Sequence, residues 1–218
     1  MLQKRVLVGW LFLVVTATLL WIGCGGSSQS NTLTAAQAQA ISQQVVAALS
    51  QAIATAASGN PNPPMSESHR HLTTALSGLR PDTSSGCTTT SMGQTCNFPF
   101  SSSSPCPSGG SISVSGAIDG TLTTSGSGSL STQLTVTPTN CATPTVTFNG
   151  DPNITVDGQI GFSNASPTFP VTLTEGGGIS YGPNPSGSCQ LSVKYSINSL
   201  TSCTVTGTVC GQSVNGSC

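Results

Sequence analysis

Charged side chains are scarce in this 218-residue chain, where they make up 5% of all residues. There are 5 Lys and Arg against 6 Asp and Glu, which leaves a formal net charge of -1. A nucleic-acid-binding surface needs a basic patch or stripe, and so few cations cannot supply one. We therefore expect no nucleic-acid partner, and we expect Ser, Thr, Asn and Gly to provide solubility.

Aromatic side chains are also few, with 2 Trp, 2 Tyr and 6 Phe. Both tryptophans precede residue 24. Four of the remaining aromatics alternate with polar residues and are predicted to be core: Phe148, Phe162, Phe169 and Tyr195. Phe98, Phe100 and Tyr181 are left as the candidates for stacking on a ligand.

No catalytic constellation stands out in the sequence. Ser residues together with His69, His71 and Asp82 could form a Ser/His/Asp set, but no Gly-x-Ser-x-Gly motif supports one. The two histidines are more typical of a solvated loop. The acidic residues are too scattered to indicate a glycosidase-like pair. We therefore predict that the chain has no catalytic residues and is not an enzyme.

Metal and cofactor motifs are equally weak. There is no Cys-x-x-Cys pair, and the histidines lie far from the later cysteines, which argues against zinc. Asp151, Asn153 and Asp157 are rich in oxygen but lack the spacing and terminal Glu of an EF-hand, and turn formation explains them. Residues 176–178 are all Gly and predict a turn, since no helix follows to make a phosphate loop. We expect no metal and no cofactor.

The beginning of the chain has a basic, an apolar and a small-residue part in succession. Lys4 and Arg5 precede an apolar run at residues 6–22, and Gly23 then stands before Cys24. This pattern resembles a bacterial lipoprotein signal peptide. The resemblance implies cleavage before Cys24 and attachment of fatty acyl chains such as palmitate to that cysteine.

The same resemblance implies a location. Gly25, and not Asp, follows the cysteine, which in this class permits transfer to the outer membrane. More than one acyl chain would make the anchor stable. Two other interpretations remain open: an uncleaved signal anchor, for which residues 6–22 fall slightly short of the usual span, and an ordinary secretory peptide cut elsewhere.

Cysteine is the one reactive residue type that is abundant. Of 9 Cys, Cys24 is assigned to lipidation. The others form an even set typical of a disulfide framework in an exported chain: Cys87, Cys96, Cys106, Cys141, Cys189, Cys203, Cys210 and Cys218. Their pairing stays open, although at least one of the three neighbours Cys87, Cys96 and Cys106 must reach outside its cluster.

Residues 35–58 are predicted to form one amphipathic helix. Thr34 and Gln37 have the spacing of a capping box, and small apolar residues recur at helical intervals from Ile41 onward. The polar face carries no Lys or Arg, which argues against binding to an anionic membrane. We therefore expect the helix to pack against the core.

The rest of the chain divides into a loop region and a β region. Residues 60–110 are rich in Pro, Ser and Cys and predict a disulfide-pinned loop region. From residue 111 to 218, short runs alternate between apolar and polar residues, and Gly, Asn, Asp or Pro separates them. This pattern predicts an antiparallel meander, curved around the helix, with a β-sandwich as the second choice.

The predicted organisation is therefore a signal peptide at 1–23, a lipidated tether at 24–33 and a single domain at 34–218. A final hairpin centred on Ser199 would place Tyr195 opposite Cys203. Cys189 would not face Cys203 in that register, so we expect Cys203 to bond to another strand or loop.

Two functions fit this organisation. The first is a lipid-anchored protein of the bacterial cell envelope with a structural or interaction role, whose partners are the membrane, through Cys24, and an envelope protein. The alternative is an envelope module that binds a lipid or another apolar ligand. The two differ in whether the helix fills the apolar face of the sheet or leaves it partly hollow.

Overall fold

The computed structural model describes residues 32–58, 87–91 and 93–218. The described residues belong to one compact unit. The described elements are α1 (Ala35–Ser58), β1 (Cys87–Thr90), β2 (Gly93–Pro105), β3 (Ser111–Leu122), β4 (Gly128–Thr139), β5 (Cys141–Ala142), β6 (Thr147–Ser163), β7 (Ser166–Gly182), β8 (Gly187–Ser199), β9 (Ser202–Val209) and β10 (Gln212–Ser217). No helix among the described residues is long and apolar enough to cross a membrane.

The ten strands form one antiparallel sheet. Their order is β1-β2-β3-β4-β6-β7-β8-β9-β10, and the short β5 pairs with β6. Each long strand thus lies beside its neighbour in the chain, as in a meander, and the sheet is open. This confirms the prediction of a mainly β fold with one N-terminal helix.

The helix α1 begins and ends where the sequence pattern predicts. The Thr34 amide donates a hydrogen bond to Gln37 Oε1 at 2.9 Å, and the Gln37 amide donates to Thr34 Oγ1 at 3.3 Å. This is the reciprocal capping box expected from the residue spacing. Gln37 Nε2 also donates to the Thr145 carbonyl at 2.9 Å, which ties the first turn to the connection between β5 and β6.

The helix lies against both ends of the strand order. Its main contacts are with β2 and β3 near one edge of the sheet and with β9 and β10 at the other. Ser104 on β2 is hydrogen-bonded to Gln51 in the second half of the helix. Because strands near both edges of the sheet meet the same helix, the sheet curves around α1.

The inner face of the sheet and the apolar side of α1 form one continuous core. Ile41, Leu49 and Ile53 of the helix are fully buried, as are Leu130 and Phe148 of the strands. Leu200, in the β8–β9 turn, is the exposed large hydrophobic residue of the described chain. The apolar side of the helix and the inner face of the sheet are therefore buried together.

The strands are longer than the sequence pattern predicts. The sequence pattern takes Gly, Asn, Asp and Pro as separators of strands, yet Asp119 and Gly120 lie inside β3 and residues 149–152 lie inside β6. Asp119 and Gly120 stay paired with β2 and β4, and Asn149 and Gly150 with β7, whereas Asp151 and Pro152 lie in a bulge. Gly, Asn and Asp thus mark irregularities within a strand here, and not its ends.

The predicted turn at residues 176–178 is wrong, since all three glycines lie inside β7. They face a bulge of β6, where the register shifts between Gly150 and Ile154. A Cβ atom at Gly177 would collide with the Asn153 carbonyl, and one at Gly178 with the Asp151 carbonyl. These two glycines are therefore required because the bulged backbone approaches closely.

The predicted loop region at 60–110 is wrong over its second half, which contains β1 and β2. The inward positions of β2 include Ser102 and Ser104, so that the strand has no sustained apolar alternation to detect. Pro99 also argues against a strand in sequence terms. β1 pairs only with residues 93–96 of β2. At Pro99, β2 therefore has a described neighbour strand on one side only, and proline is tolerated at such an edge.

The register predicted for the last hairpin is wrong by two residues. Tyr195 lies opposite Val205, and Cys203 lies opposite Ile197. A register shift after Ile197 accommodates the turn, which the sequence does not reveal. The expectation that Cys203 bonds elsewhere is nevertheless confirmed, because its partner is Cys218.

All eight predicted cysteines lie in disulfides. The pairs are Cys87–Cys96, Cys106–Cys141, Cys189–Cys210 and Cys203–Cys218. Cys106 thus reaches outside its cluster, as expected. Its bond closes the longest loop, with a sequence separation of 35, and loops of this length correspond to about 4 kcal/mol in the chain-entropy description.

We predict that Leu49→Ala lowers the free energy of unfolding by about 3 kcal/mol, because it leaves a cavity between α1 and the sheet. Gln43→Ala, on the exposed side of the same helix, should change it by less than about 0.5 kcal/mol. Urea denaturation of the oxidised proteins measures both values. Equal losses in the two variants would contradict the packing of α1 into the sheet.

Candidate functional site

Several residues singled out in the sequence lie outside the described chain. These are Cys24, His69, His71 and Asp82, together with the side chain of Phe100. The lipidation site and the Ser/His/Asp set therefore stay predictions. Phe98 and Tyr181, expected as ligand contacts, are instead buried in the core, because their strand positions face inward.

The oxygen-rich residues of β6 are spread along a strand. Asp151 and Asp157 are six residues apart, which corresponds to about 20 Å in an extended strand. Asn153 Oδ1 accepts a hydrogen bond from Thr137 Oγ1 at 2.9 Å. Among the described residues, no three His, Cys, Asp or Glu side chains lie together as metal ligands would.

The outer face of the sheet carries an open depression of about 410 Å³ across β4, β6 and β7. We call it the outer groove. Six polar residues at outward positions line it: Ser131, Gln133, Asp157, Gln159, Thr172 and Thr174. Its volume lies within the range of small-ligand sites, although it is more polar and more open than most of them.

The strand register arranges these six side chains in two rows. Gln133 pairs with Asp157, which pairs with Thr174. In the next outward row, Ser131 pairs with Gln159 and Gln159 with Thr172. Neighbouring strands are about 4.8 Å apart and successive outward residues about 7 Å apart, so the grid measures about 10 by 7 Å.

The described chain has five charged side chains, Asp119, Asp151, Asp157, Glu175 and Lys194, and three of them lie in or beside this grid. Asp157 lies in the grid, Lys194 continues its row beside Thr174, and Asp119 continues the other row beside Ser131. Lys194 is the only Lys or Arg among the described residues. The groove is therefore framed by one cation and one anion at opposite corners.

Glycines lie beyond both rows of the grid. Gly176 follows Thr174 on the outer face of β7, and Gly161 follows Gln159 on β6. Unlike Gly177 and Gly178, Gly176 has no steric requirement for glycine: its φ is ordinary, and a Cβ atom would meet nothing described closer than the Leu191 carbonyl oxygen at 3.9 Å. Gly176 thus leaves the β7 side of one end of the groove open, whereas the Thr168 hydroxyl occupies the space over Gly161 at the other end.

A second polar feature lies on the inner face of the same strands. Glu175 follows Thr174 in β7 but points inward, where it is 2% exposed. The Tyr195 hydroxyl on β8 donates a hydrogen bond to Glu175 Oε2, and Glu175 Oε1 has no partner among the described residues. A buried carboxyl group with a single hydrogen bond is costly to ionise.

The electrostatic consequence is a carboxyl group that titrates near neutrality. Burial raises the pKa of Glu175 from its ordinary 4.5 to about 7, and the hydrogen bond from Tyr195 opposes this rise. Burial, followed by the charge and hydrogen bond of Glu175, raises the pKa of the Tyr195 hydroxyl. The pair lies inside the apolar core and has no opening to the outer groove among the described residues.

Sequence reasoning missed both features for different reasons. Glu175 continues the inward series that contains Val171 and Leu173, so that strict alternation could have marked it as buried. The outer groove combines residues of three strands, and only the register brings them together.

Comparison with known proteins identifies no relative. No protein-family model, curated protein or solved structure matches this chain.

We predict that the folded protein loses stability as the pH rises from about 4.5 to 7. Over that range the unfolded chain releases the Glu175 proton while the folded protein retains it, so ionisation favours unfolding. The full loss, reached above pH 7, is about 3 kcal/mol. Glu175→Gln should remove this part of the pH dependence and be the more stable protein at pH 8.

Urea denaturation of both proteins between pH 4 and pH 9 tests this, and the difference between the two curves isolates Glu175. Tyr195→Phe provides the matched control, because it removes the hydrogen bond and should extend the titration to higher pH. If Glu175→Gln kept the wild-type pH dependence, the buried position of Glu175 would be wrong.

Proposed function

We propose that the protein is a lipid-anchored component of the bacterial cell envelope, held by acyl chains on Cys24, whose folded domain acts in a structural or interaction role. The signal-like pattern before Cys24 supports the anchor, and its following Gly25 supports the outer membrane. Eight paired cysteines support an oxidising compartment, since such disulfide frameworks persist outside the reducing cytosol.

The observation that carries the interaction role is the packing of α1 against the inner face of the sheet. Helix and strands form one buried core, so the apolar surface is already occupied by the chain itself. This favours contact through the outer face over enclosure of an apolar ligand. A lipid-binding module, the alternative, would require α1 to leave the sheet and expose that core to water.

The proposal includes no catalytic step. The described acid with the most perturbed pKa, Glu175, is closed off within the core, and Asp157 is the only carboxylate among the residues lining the outer groove. General acid–base chemistry needs an acid and a base that both reach the substrate, and Glu175 and Asp157 do not form such a pair.

We predict that Cys24→Ser abolishes lipid attachment and releases the protein from the membrane fraction, because the side chain that carries the acyl chains is lost. Intact-mass measurement of protein extracted from its own cell envelope tests this. The wild type should begin at an acylated Cys24 and contain four disulfides. A wild-type mass that still includes residues 1–23 would contradict the lipoprotein assignment.

The same measurement under native conditions separates the two functions. The interaction role predicts a protein without a bound lipid beyond its covalent chains. A lipid-sized adduct that dissociates on activation would favour the carrier instead. The double variant Cys87→Ser/Cys96→Ser is a control for the disulfide count, because it removes one disulfide and leaves Cys24 in place.

A further inference from the structure

The outer groove is the feature of the described surface that is best organised to contact a ligand. Its strands, β4, β6 and β7, are paired on both edges, so their backbone groups are already hydrogen-bonded within the sheet. Recognition at this place must therefore come from side chains. Those side chains are amides, hydroxyls and one carboxylate.

These groups match a ligand that is rich in hydroxyl groups. A Gln side chain offers both a donor and an acceptor, and so does a sugar hydroxyl. Gln133 and Gln159 lie on neighbouring strands at diagonal positions of the grid, with Asp157 between them as a further acceptor. The three could hydrogen-bond to vicinal hydroxyls on adjacent sugar rings.

Charge and surface composition argue against other ligands. Lys194 is the only described cation near the groove and shares its row with Asp157, while Asp119 lies at the opposite corner, so a polyanion finds no basic surface. The groove lining contains no apolar side chain, whereas the centre of a protein–protein interface is usually apolar or aromatic. An uncharged, hydroxyl-rich ligand fits these constraints.

Gly176 indicates that the ligand is a chain. Glycine weakens a strand interior and is retained where a bend or a close approach requires it. Gly176 has neither a positive φ nor a close neighbour at its Cβ position, yet it leaves the β7 side of one groove end without a side chain. Its partner on β6, Thr155, donates a hydrogen bond from Oγ1 to the Gly176 carbonyl at 3.2 Å and forms the β6 side of that end. A ligand that continues along the strand past Thr174 would use this opening.

We propose that the outer groove binds an uncharged polysaccharide chain, with Gln133, Asp157 and Gln159 hydrogen-bonding to its hydroxyls and Gly176 giving room for the next sugar. This inference deepens the proposed interaction role and does not depend on the anchor at Cys24. Without aromatic stacking, a single site binds weakly, with a Kd of about 1 mM. Repeated sugars along a polysaccharide increase the effective affinity.

The test uses the full chain in a detergent without a sugar headgroup. Neutral tetrasaccharides built from glucose, mannose, galactose and N-acetylglucosamine are titrated and followed by calorimetry, together with uronate and sulfated tetrasaccharides. We expect at least one neutral tetrasaccharide to bind with a Kd of about 1 mM and the charged ones to bind at least about tenfold more weakly. Glucose, mannose, galactose and N-acetylglucosamine as single sugars should also bind more weakly than their tetramers.

Three variants locate the binding. Gln133→Ala with Gln159→Ala should weaken it at least about tenfold by removing two hydrogen-bonding groups. Gly176→Leu should weaken it to a similar extent by closing the end of the groove, while the strand tolerates the side chain. Gln190→Ala, an equally exposed Gln on β8, should leave it unchanged.

Each of these comparisons has a result that would contradict the proposal. Absence of binding to every neutral tetrasaccharide at about 10 mM would overturn the proposal, as would binding that the groove variants do not change. Preference for the charged oligosaccharides would show that the ligand class is wrong, and equal affinity for single sugars would exclude a chain. Repeating the titration with Cys24→Ser tests whether sugar binding depends on the lipid anchor, and we expect that it does not.

Discussion

The packing of α1 between the two ends of the strand order is the constraint on which the rest of the structure depends. A ten-stranded meander has one apolar face, and that face must be removed from water. With so few large side chains, the sheet cannot cover itself, and the helix supplies Ile41, Leu49 and Ile53 to do so. The outer face is thereby left mostly to polar residues and glycine.

The disulfides reinforce the same arrangement at the places where it is weakest. Cys189–Cys210 and Cys203–Cys218 hold the last strands, and Cys87–Cys96 holds the first pair. These are the strands nearest the edges of an open sheet, which gain least from neighbours on both sides. A chain with few charges and a small core can thus keep a long sheet in one register.

Two polar features lie back to back on β7 and have opposite consequences. Thr174 faces water in the outer groove, whereas Glu175, the next residue, is enclosed with Tyr195 in the core. The first offers hydrogen bonds at little cost, and the second makes stability depend on pH. Such a contrast between adjacent residues follows directly from the two-residue period of a strand.

The sequence by itself determined the local features. The capping residues and helical spacing fixed α1, the alternation from residue 111 onward fixed an antiparallel sheet, and the even number of later cysteines indicated disulfides. Only the tertiary structure decided the register, the strands β1 and β2, the glycines facing the β6 bulge, the pairing of Glu175 with Tyr195 and the groove. Each of these depends on backbone pairing or packing between residues distant in the chain, and no local pattern encodes which residues of neighbouring strands lie opposite each other.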